Sequence, residues 1–159
     1  MKHLPKHLQP RWRYLAIRIE TWPDETLSRD GFQRAVWYSA QNLLGDTGSA
    51  AVGLSVLRFR FERGDGRALV RVRRGRVDDA RAALACVERV EGAAVGIRVL
   101  GVAGTVRSCE EKYMGHGPID PDQRHVVFGG GSRPGFVRDE RIDIETGAAY
   151  TGATNLDTE

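Results

Sequence analysis

The chain has 159 residues and a mass of 17.6 kDa, which suits one compact domain with a tail. Its hydrophobic content of 41% supports a core and excludes a fully disordered chain, and no apolar run approaches the roughly 18 residues of a membrane span. Residues 1–116 carry a net +7 and residues 117–159 a net −4, and 21 of the 24 cations are arginine, a planar fork suited to phosphate.

The N-terminus, MKHLPKHLQPRWRY, is basic and lacks the apolar h-region of a signal peptide, so a soluble, cytoplasmic α+β domain is expected. Residues 1–12 read as a basic arm, 13–116 as the folded domain and 117–159 as an acidic tail. Within Arg13–Glu20 the sequence alternates, with Leu15, Ile17 and Ile19 on one face and Tyr14, Arg18 and Glu20 on the other, which predicts a half-buried strand. A turn at Trp22-Pro23-Asp24 leads to a helix capped by Asp30 with Gln33 and ended by Gly45 after Leu44. Its inward stripe is read as Phe32, Val36, Ser39/Ala40 and Leu43.

Leu54–Glu62 alternates again, with Leu57, Phe59 and Phe61 opposite Arg58, Arg60 and Glu62. Arg63-Gly64-Asp65-Gly66 then signals a hairpin. The returning strand, Arg67–Arg74, sets Ala68, Val70 and Val72 against Leu69, Arg71 and Arg73. Asp78-Asp79 open a second helix with Val77, Ala80, Leu84 and Val87 on its apolar side, closed at Glu91-Gly92. A fourth strand spans Val95–Val102, and Thr105 caps a third helix reaching about Met114.

This order predicts a ferredoxin-like, RRM-like βαββαβ two-layer sandwich with an extra C-terminal helix. From His116 onward the texture is turn-rich, so the tail is expected to be largely irregular, with brief strands at His125–Phe128 and Ile142–Ile144.

If the apolar parities face the helices, the other sheet face collects Arg18, Arg58, Arg60, Arg71, Arg73 and Arg98. Like charges across strands are unfavourable unless neutralised, so this face suits a phosphate chain or an acidic protein partner. Few aromatics interleave there, which favours backbone and shape over base readout. The arm adds Lys2, Lys6, Arg11, Trp12, Arg13 and Tyr14, a mixture that either binds RNA or pins the arm to the domain. Gly101, Gly104 and Thr105 join a strand to a helix start that could hold a phosphate, with Arg107 in the first turn; tight-turn glycines and an ordinary cap explain the same residues.

Catalytic groupings are scarce. His3, His7, His116 and His125 have no metal-type spacing to Cys86, Cys109 or a carboxylate, and the cysteines read as reduced or structural. Glu110 and Glu111 point to different sides of a helix, and no convergent carboxylates suit a two-metal nuclease.

Three blocks carry a resemblance to the ribonuclease P protein component 2 family, archaeal in type with a eukaryotic counterpart. They are Arg13-Tyr14 leading the first strand; Gly48-Ser49-Ala50-Ala51 through Leu57–Phe61 and Gly66 to the Leu69–Arg74 strand and Ala83-Leu84; and Leu100–Arg107 followed by Lys112-Tyr113. The resemblance covers roughly residues 4–114. It implies a subunit of the ribonucleoprotein that cuts the 5′ leader from precursor tRNA, an endoribonuclease whose RNA component, with magnesium, does the chemistry. This chain would then bind no cofactor and hold no catalytic residue.

The implied partners are the ribonuclease P RNA, ribonuclease P protein component 3, the other protein subunits and precursor tRNA. Carried over by position, Arg13, Arg71, Arg73, Arg74, Arg107 and Lys112 are the implied RNA or partner contacts. Arg11, Tyr14, Arg18, Arg58 and Arg60 join them from the charge reading. Glu110 and Glu111 depart from the family pattern, where basic residues are frequent. Two other readings stay open. A free-standing RNA-binding module would need no obligate partner. An acylphosphatase-like enzyme would need a phosphate loop after the first strand, where this chain has the acidic Thr21–Thr26.

Overall fold

A computed structural model describes residues 4–115 and 121–158. A 3-10 turn, Lys6–Leu8, precedes β1 (Trp12–Glu20), α1 (Arg29–Val52), β2 (Ser55–Glu62), β3 (Asp65–Arg73) and α2 (Val77–Ala85). A two-residue-strand hairpin, β4 (Arg89–Val90) and β5 (Ala93–Ala94), leads into β6 (Gly96–Ala103) and α3 (Val106–Tyr113). Four more strands follow: β7 (Asp122–Phe128), β8 (Gly131–Arg138), β9 (Arg141–Glu145) and β10 (Tyr150–Thr154). No helix among the described residues is long and apolar enough to cross a membrane.

The first sheet has the order β2-β3-β1-β6, antiparallel throughout. Because side chains alternate along each strand, Leu15, Ile17, Ile19, Ala68, Val70 and Val72 all reach one face, where α1 and α2 bury them completely. Phe32 of α1 packs on Phe59 of β2 with the rings tilted by 31° and centroids 5.7 Å apart. At this seam Gln33 Oε1 accepts the Val56 amide at 2.7 Å and the Ser39 hydroxyl donates to the Ala83 carbonyl, while Gln33 Nε2 is buried without a partner.

Several expectations are corrected. Leu57 does not share a face with Phe59 and Phe61, because a bulge between Val56 and Arg58 moves it to the opposite side. The cap of α1 is Ser28, whose hydroxyl accepts the Gly31 amide at 3.0 Å, in place of Asp30 with Gln33. Glu91 accepts both the Ser28 hydroxyl and the Ser28 amide, and those bonds hold its carboxyl below the usual carboxylate range. Gly45 kinks α1 and the helix continues to Val52, leaving Leu43 exposed.

The β2–β3 turn is Arg63-Gly64 alone, both at positive φ, the I′ geometry that matches strand twist. Asp65 and Gly66 therefore belong to β3, and Asp65 is wholly buried. Space reinforces the choice of Gly64: a Cβ there would approach the Arg138 guanidinium and the Thr21 and Trp22 carbonyls.

The face away from α1 and α2 is not open. α3 lies across it, packing Cys109, Val106, Tyr113 and Met114 onto Tyr14, Ala16, Leu57, Leu69 and Ala103. Gly101 permits this approach, since a Cβ there would overlap the Tyr113 ring. The sheet is thus covered by helices on both sides, and the two-layer expectation is replaced by three layers in this part.

The segment expected to be largely irregular folds as an antiparallel meander, β10-β9-β8-β7, with its own small core of Val126, Ile142, Ile144 and Ala153. Arg138 docks it on the first sheet, donating to the Gly64 carbonyl at 2.7 Å and the Thr21 carbonyl at 2.9 Å, while pairing with Asp143. Burial pushes the Asp143 carboxyl above its ordinary range, against the pull of Arg138 and Arg141. Trp22 stacks on Tyr150 with centroids 5.9 Å apart.

Two predictions follow from the packing. Gly101→Ala should displace Tyr113 and destabilise the chain by about 1–3 kcal/mol through overpacking, read as a lower denaturant midpoint with an unchanged slope. Burial, aided by Glu110, raises the Cys109 thiol to about 11, whereas Cys86 is exposed. At pH 8 a thiol reagent should therefore label Cys86 alone, and Cys109 only after unfolding, as mass spectrometry of the two peptides would show.

Candidate nucleic-acid interface

The cations divide between two ends of the first sheet. At the end where β1 finishes and β3 begins, Asp65 accepts from Arg18 Nε at 3.0 Å and lies 3.4 Å from Arg67 Nη1. Arg18 also meets Glu20 at 3.0 Å and Asp139 of the meander at 3.4 Å, and Arg141 pairs with Glu20. Burial opposes the Arg18 charge, but the Asp65 hydrogen bond, the Glu20 and Asp65 charges and the Asp139 hydrogen bond outweigh it and raise its pKa. Arg18 is 6% exposed and fully committed, so the expectation that it contacts RNA or a partner is corrected: it is a structural ion.

Arg58 and Arg60 are exposed but also engaged. Arg58 Nε pairs with Glu110 at 3.2 Å, and Arg60 Nη2 donates to the Met114 carbonyl at 3.2 Å, so both tie β2 to α3. Glu110 thereby gains a partner on β2. Lys112 is exposed in the last turn of the same helix. Tyr14 lies half-buried against α3. Arg98 is exposed on β6, opposite Arg18.

The other end, where β1 starts and β3 and β6 finish, is different. Register places Trp12 opposite Arg73, Tyr14 opposite Arg71 and Ala103 opposite Tyr14, and the Arg74 amide donates to the Arg11 carbonyl. This brings Arg11, Arg13, Arg71, Arg73 and Arg74 to one edge, with the start of α3 beside them. Arg13 reaches across Gly104, where a Cβ would meet its Nη1 at 2.8 Å. Thr105 Oγ1 accepts the Ser108 amide at 3.1 Å, so Thr105 acts as a helix cap and Gly101 as the seat of Tyr113. Neither residue needs a phosphate to explain it. Arg107 is 87% exposed and pairs with Glu111 at 2.8 Å, a solvent-screened i,i+4 contact that a stronger anion can displace.

Trp12 is the residue whose position the sequence did not disclose. The Arg71 Cζ stands 4.0 Å and the Arg73 Cζ 5.0 Å from its ring centroid. The W-R-Y alternation shows that Trp12 and Tyr14 share a face, but only the β1–β3 register puts those two arginines on the indole. Of the proposed contacts, the fold gathers Arg11, Arg13, Arg71, Arg73, Arg74 and Arg107, and separates Arg18, Arg58, Arg60 and Lys112 from them. Lys2, His3 and His116 lie outside the described residues. Among the described residues no group of three His, Cys, Asp or Glu side chains is placed to hold a metal ion.

A family model described as the Rpp14/Pop5 family matches residues 13–114, ending before the meander. Ribonuclease P protein component 2 of Halorubrum lacusprofundi is 57% identical over 159 residues, the whole of both chains. The protein of the same description from Natronomonas pharaonis is 55% identical over 99% of this chain and 98% of its own. A chain in the cryo-EM structure of yeast ribonuclease MRP aligns over 63% of this chain and 79% of its own, with a TM-score of 0.49 and 13% identity. With the model covering β1 through α3 and these archaeal relatives matching along the entire length, the chain belongs to the Rpp14/Pop5 family.

Proposed function

We infer that this chain is a protein subunit of ribonuclease P and works in tRNA processing as part of that endoribonuclease. The observation that carries this reading is the end-to-end match, at 55–57% identity, to proteins described as ribonuclease P protein component 2. The fold supports it from the side of physical chemistry. One end of the sheet gathers Arg71, Arg73 and Arg74 without protein counter-charges, while Arg18, Arg58, Arg60 and Arg67 are engaged within the fold. The strand order β2-β3-β1-β6 with α1 and α2 on one face supports the ferredoxin-like reading of this part.

In this proposal the chain binds the ribonuclease P RNA along its basic edge and assembles with protein component 3 and the other subunits on precursor tRNA. It acts in the cytoplasm. The RNA, with magnesium, performs the hydrolysis, and the protein lowers the electrostatic free energy of folding a polyanion into a catalytic shape. Guanidinium forks suit this task, since each gives two parallel donors to a phosphate and keeps its charge at any working pH. Half or more of nucleic-acid contacts generally go to the backbone, and such contacts position the RNA without reading its sequence.

Reconstitution tests the proposal. Ribonuclease P RNA with the other protein subunits should cleave precursor tRNA more slowly, and demand more magnesium, when this chain is left out. Equal rates at limiting magnesium with and without it would refute the role. Within the complete assembly, Arg74→Glu with Arg107→Glu should weaken RNA binding at least tenfold. The same reversal at Arg81, exposed on α2, should change it less than twofold.

A further inference from the structure

We propose that Trp12, Arg71 and Arg73 form one phosphate-binding fork for the RNA backbone, with the Trp12 ring as the positioning residue that holds both guanidiniums in place. This rests on the ribonuclease P reading and adds to it which residues grip and which residue orients them.

Both guanidinium carbons fall within the roughly 6 Å at which a cation is drawn to an aromatic face, so a single indole serves two cations. Neither guanidinium makes a hydrogen bond or ion pair to any described residue, and Arg71 Nε is shielded from water with no acceptor. Two like charges drawn to one ring repel each other, and a buried donor left unmade is unfavourable. An anion placed against their outer Nη–H edges would relieve the repulsion. The backbone of Gly53 walls the other side: a Cβ there would stand 3.4 Å from the Arg73 stem and the Trp12 ring. The fork is therefore held by the end of α1 as well as by the two strands.

The chemistry points to phosphate rather than to a base. Guanidiniums already occupy the indole, which leaves less of it for stacking a nucleobase, while their N–H groups remain free. It also points to a chain of phosphates rather than one acidic side chain, because Arg11, Arg13, Arg74 and Arg107 continue the cationic edge past the fork. A protein carboxylate would satisfy the fork alone; a repeating polyanion would satisfy the whole edge.

The test is the salt dependence of binding between the full chain and the ribonuclease P RNA transcript, with an unrelated structured RNA of equal length as a second probe. Trp12→Leu should weaken binding to both RNAs about fivefold to tenfold while leaving the slope of log K against log salt unchanged, since no charge is lost. Trp12→Phe should restore most of that loss. Arg71→Ala or Arg73→Ala should each flatten the slope by about 0.7 to 0.9, one phosphate contact. Arg71→Lys with Arg73→Lys should keep the slope yet lose affinity, and it keeps the proposal falsifiable if Trp12→Leu does not fold.

Wild-type affinity in Trp12→Leu and in the double lysine variant would overturn the fork. So would unchanged RNA affinity together with lost capture of protein component 3, which would make the site a protein contact. If the fork variants bind normally while Arg74→Glu with Arg107→Glu fails, the fork alone is wrong. If the wild-type chain is dispensable in reconstitution, the ribonuclease P reading itself fails.

Discussion

The buried carboxylate of Asp65 is the constraint around which the rest is arranged. A fully desolvated carboxylate is tolerable only with close counter-charges, and Arg18 and Arg67 supply them from the same sheet face. Their guanidiniums in turn become unavailable to any ligand. Asp139 and Glu20 complete the neutralisation of Arg18 and Arg67, leaving Arg98 as the exposed cation beside them. What remains outside the network is the opposite edge, and the polarity of the molecule along its strands follows. A net charge of only +3 would give weak long-range attraction to RNA if it were spread evenly. Internal pairing at one end leaves the uncompensated arginines at the other.

The core elements were legible because their signals are local. Leu15, Ile17 and Ile19 alternate and are fully buried, and Thr105 caps α3 through a hydrogen bond within its own turn. The parity of Arg18, Arg71 and Arg73 was equally readable. What could not be read was which of these would be neutralised. Arg18 meets Asp139, 121 residues further along, and no periodicity reports a contact at that separation. The choice between Ser28 and Asp30 as helix cap was also settled from a distance: both are good caps, but Glu91 anchors the Ser28 hydroxyl. The bulge at Leu57 reversed one residue's face while leaving the strand itself correct.

The meander escaped for a different reason. Its strand β8 contains Gly131, Pro134 and Gly135, residues that weaken a strand signal. Its pairing depends on turns at Gly129-Gly130 and Asp139-Glu140 that read as loop chemistry in isolation. Its small core, Val126, Ile142, Ile144 and Ala153, draws one or two residues from each of three strands, so only the brief strands expected at His125–Phe128 and Ile142–Ile144, inside β7 and β9, show in the sequence. The element becomes recognisable only once the strands are assembled. Its docking residue, Arg138, forms hydrogen bonds to two backbone carbonyls at the end of the first sheet, one in the β2–β3 turn and one just after β1, groups that carry no side-chain signature at all.

Arginine is used here in two opposed ways, and the difference lies in what surrounds the guanidinium. Where a carboxylate is within reach and water is absent, as at Arg18 and Arg67, the charge is spent inside the protein and stiffens it. Where the neighbour is an indole, as at Arg71 and Arg73, attraction of about 0.5–1 kcal/mol per exposed contact fixes the side chain without cancelling its charge. A lysine could not replace either arginine on equal terms, because a compact ammonium lacks both the flat face that rests on the ring and the second donor of the fork. Immobilising a long side chain before the ligand arrives reduces the ordering penalty at binding, about 0.5–1.5 kcal/mol for each such side chain. The aromatic residue at the start of β1 therefore orders two guanidiniums while leaving their charge uncancelled.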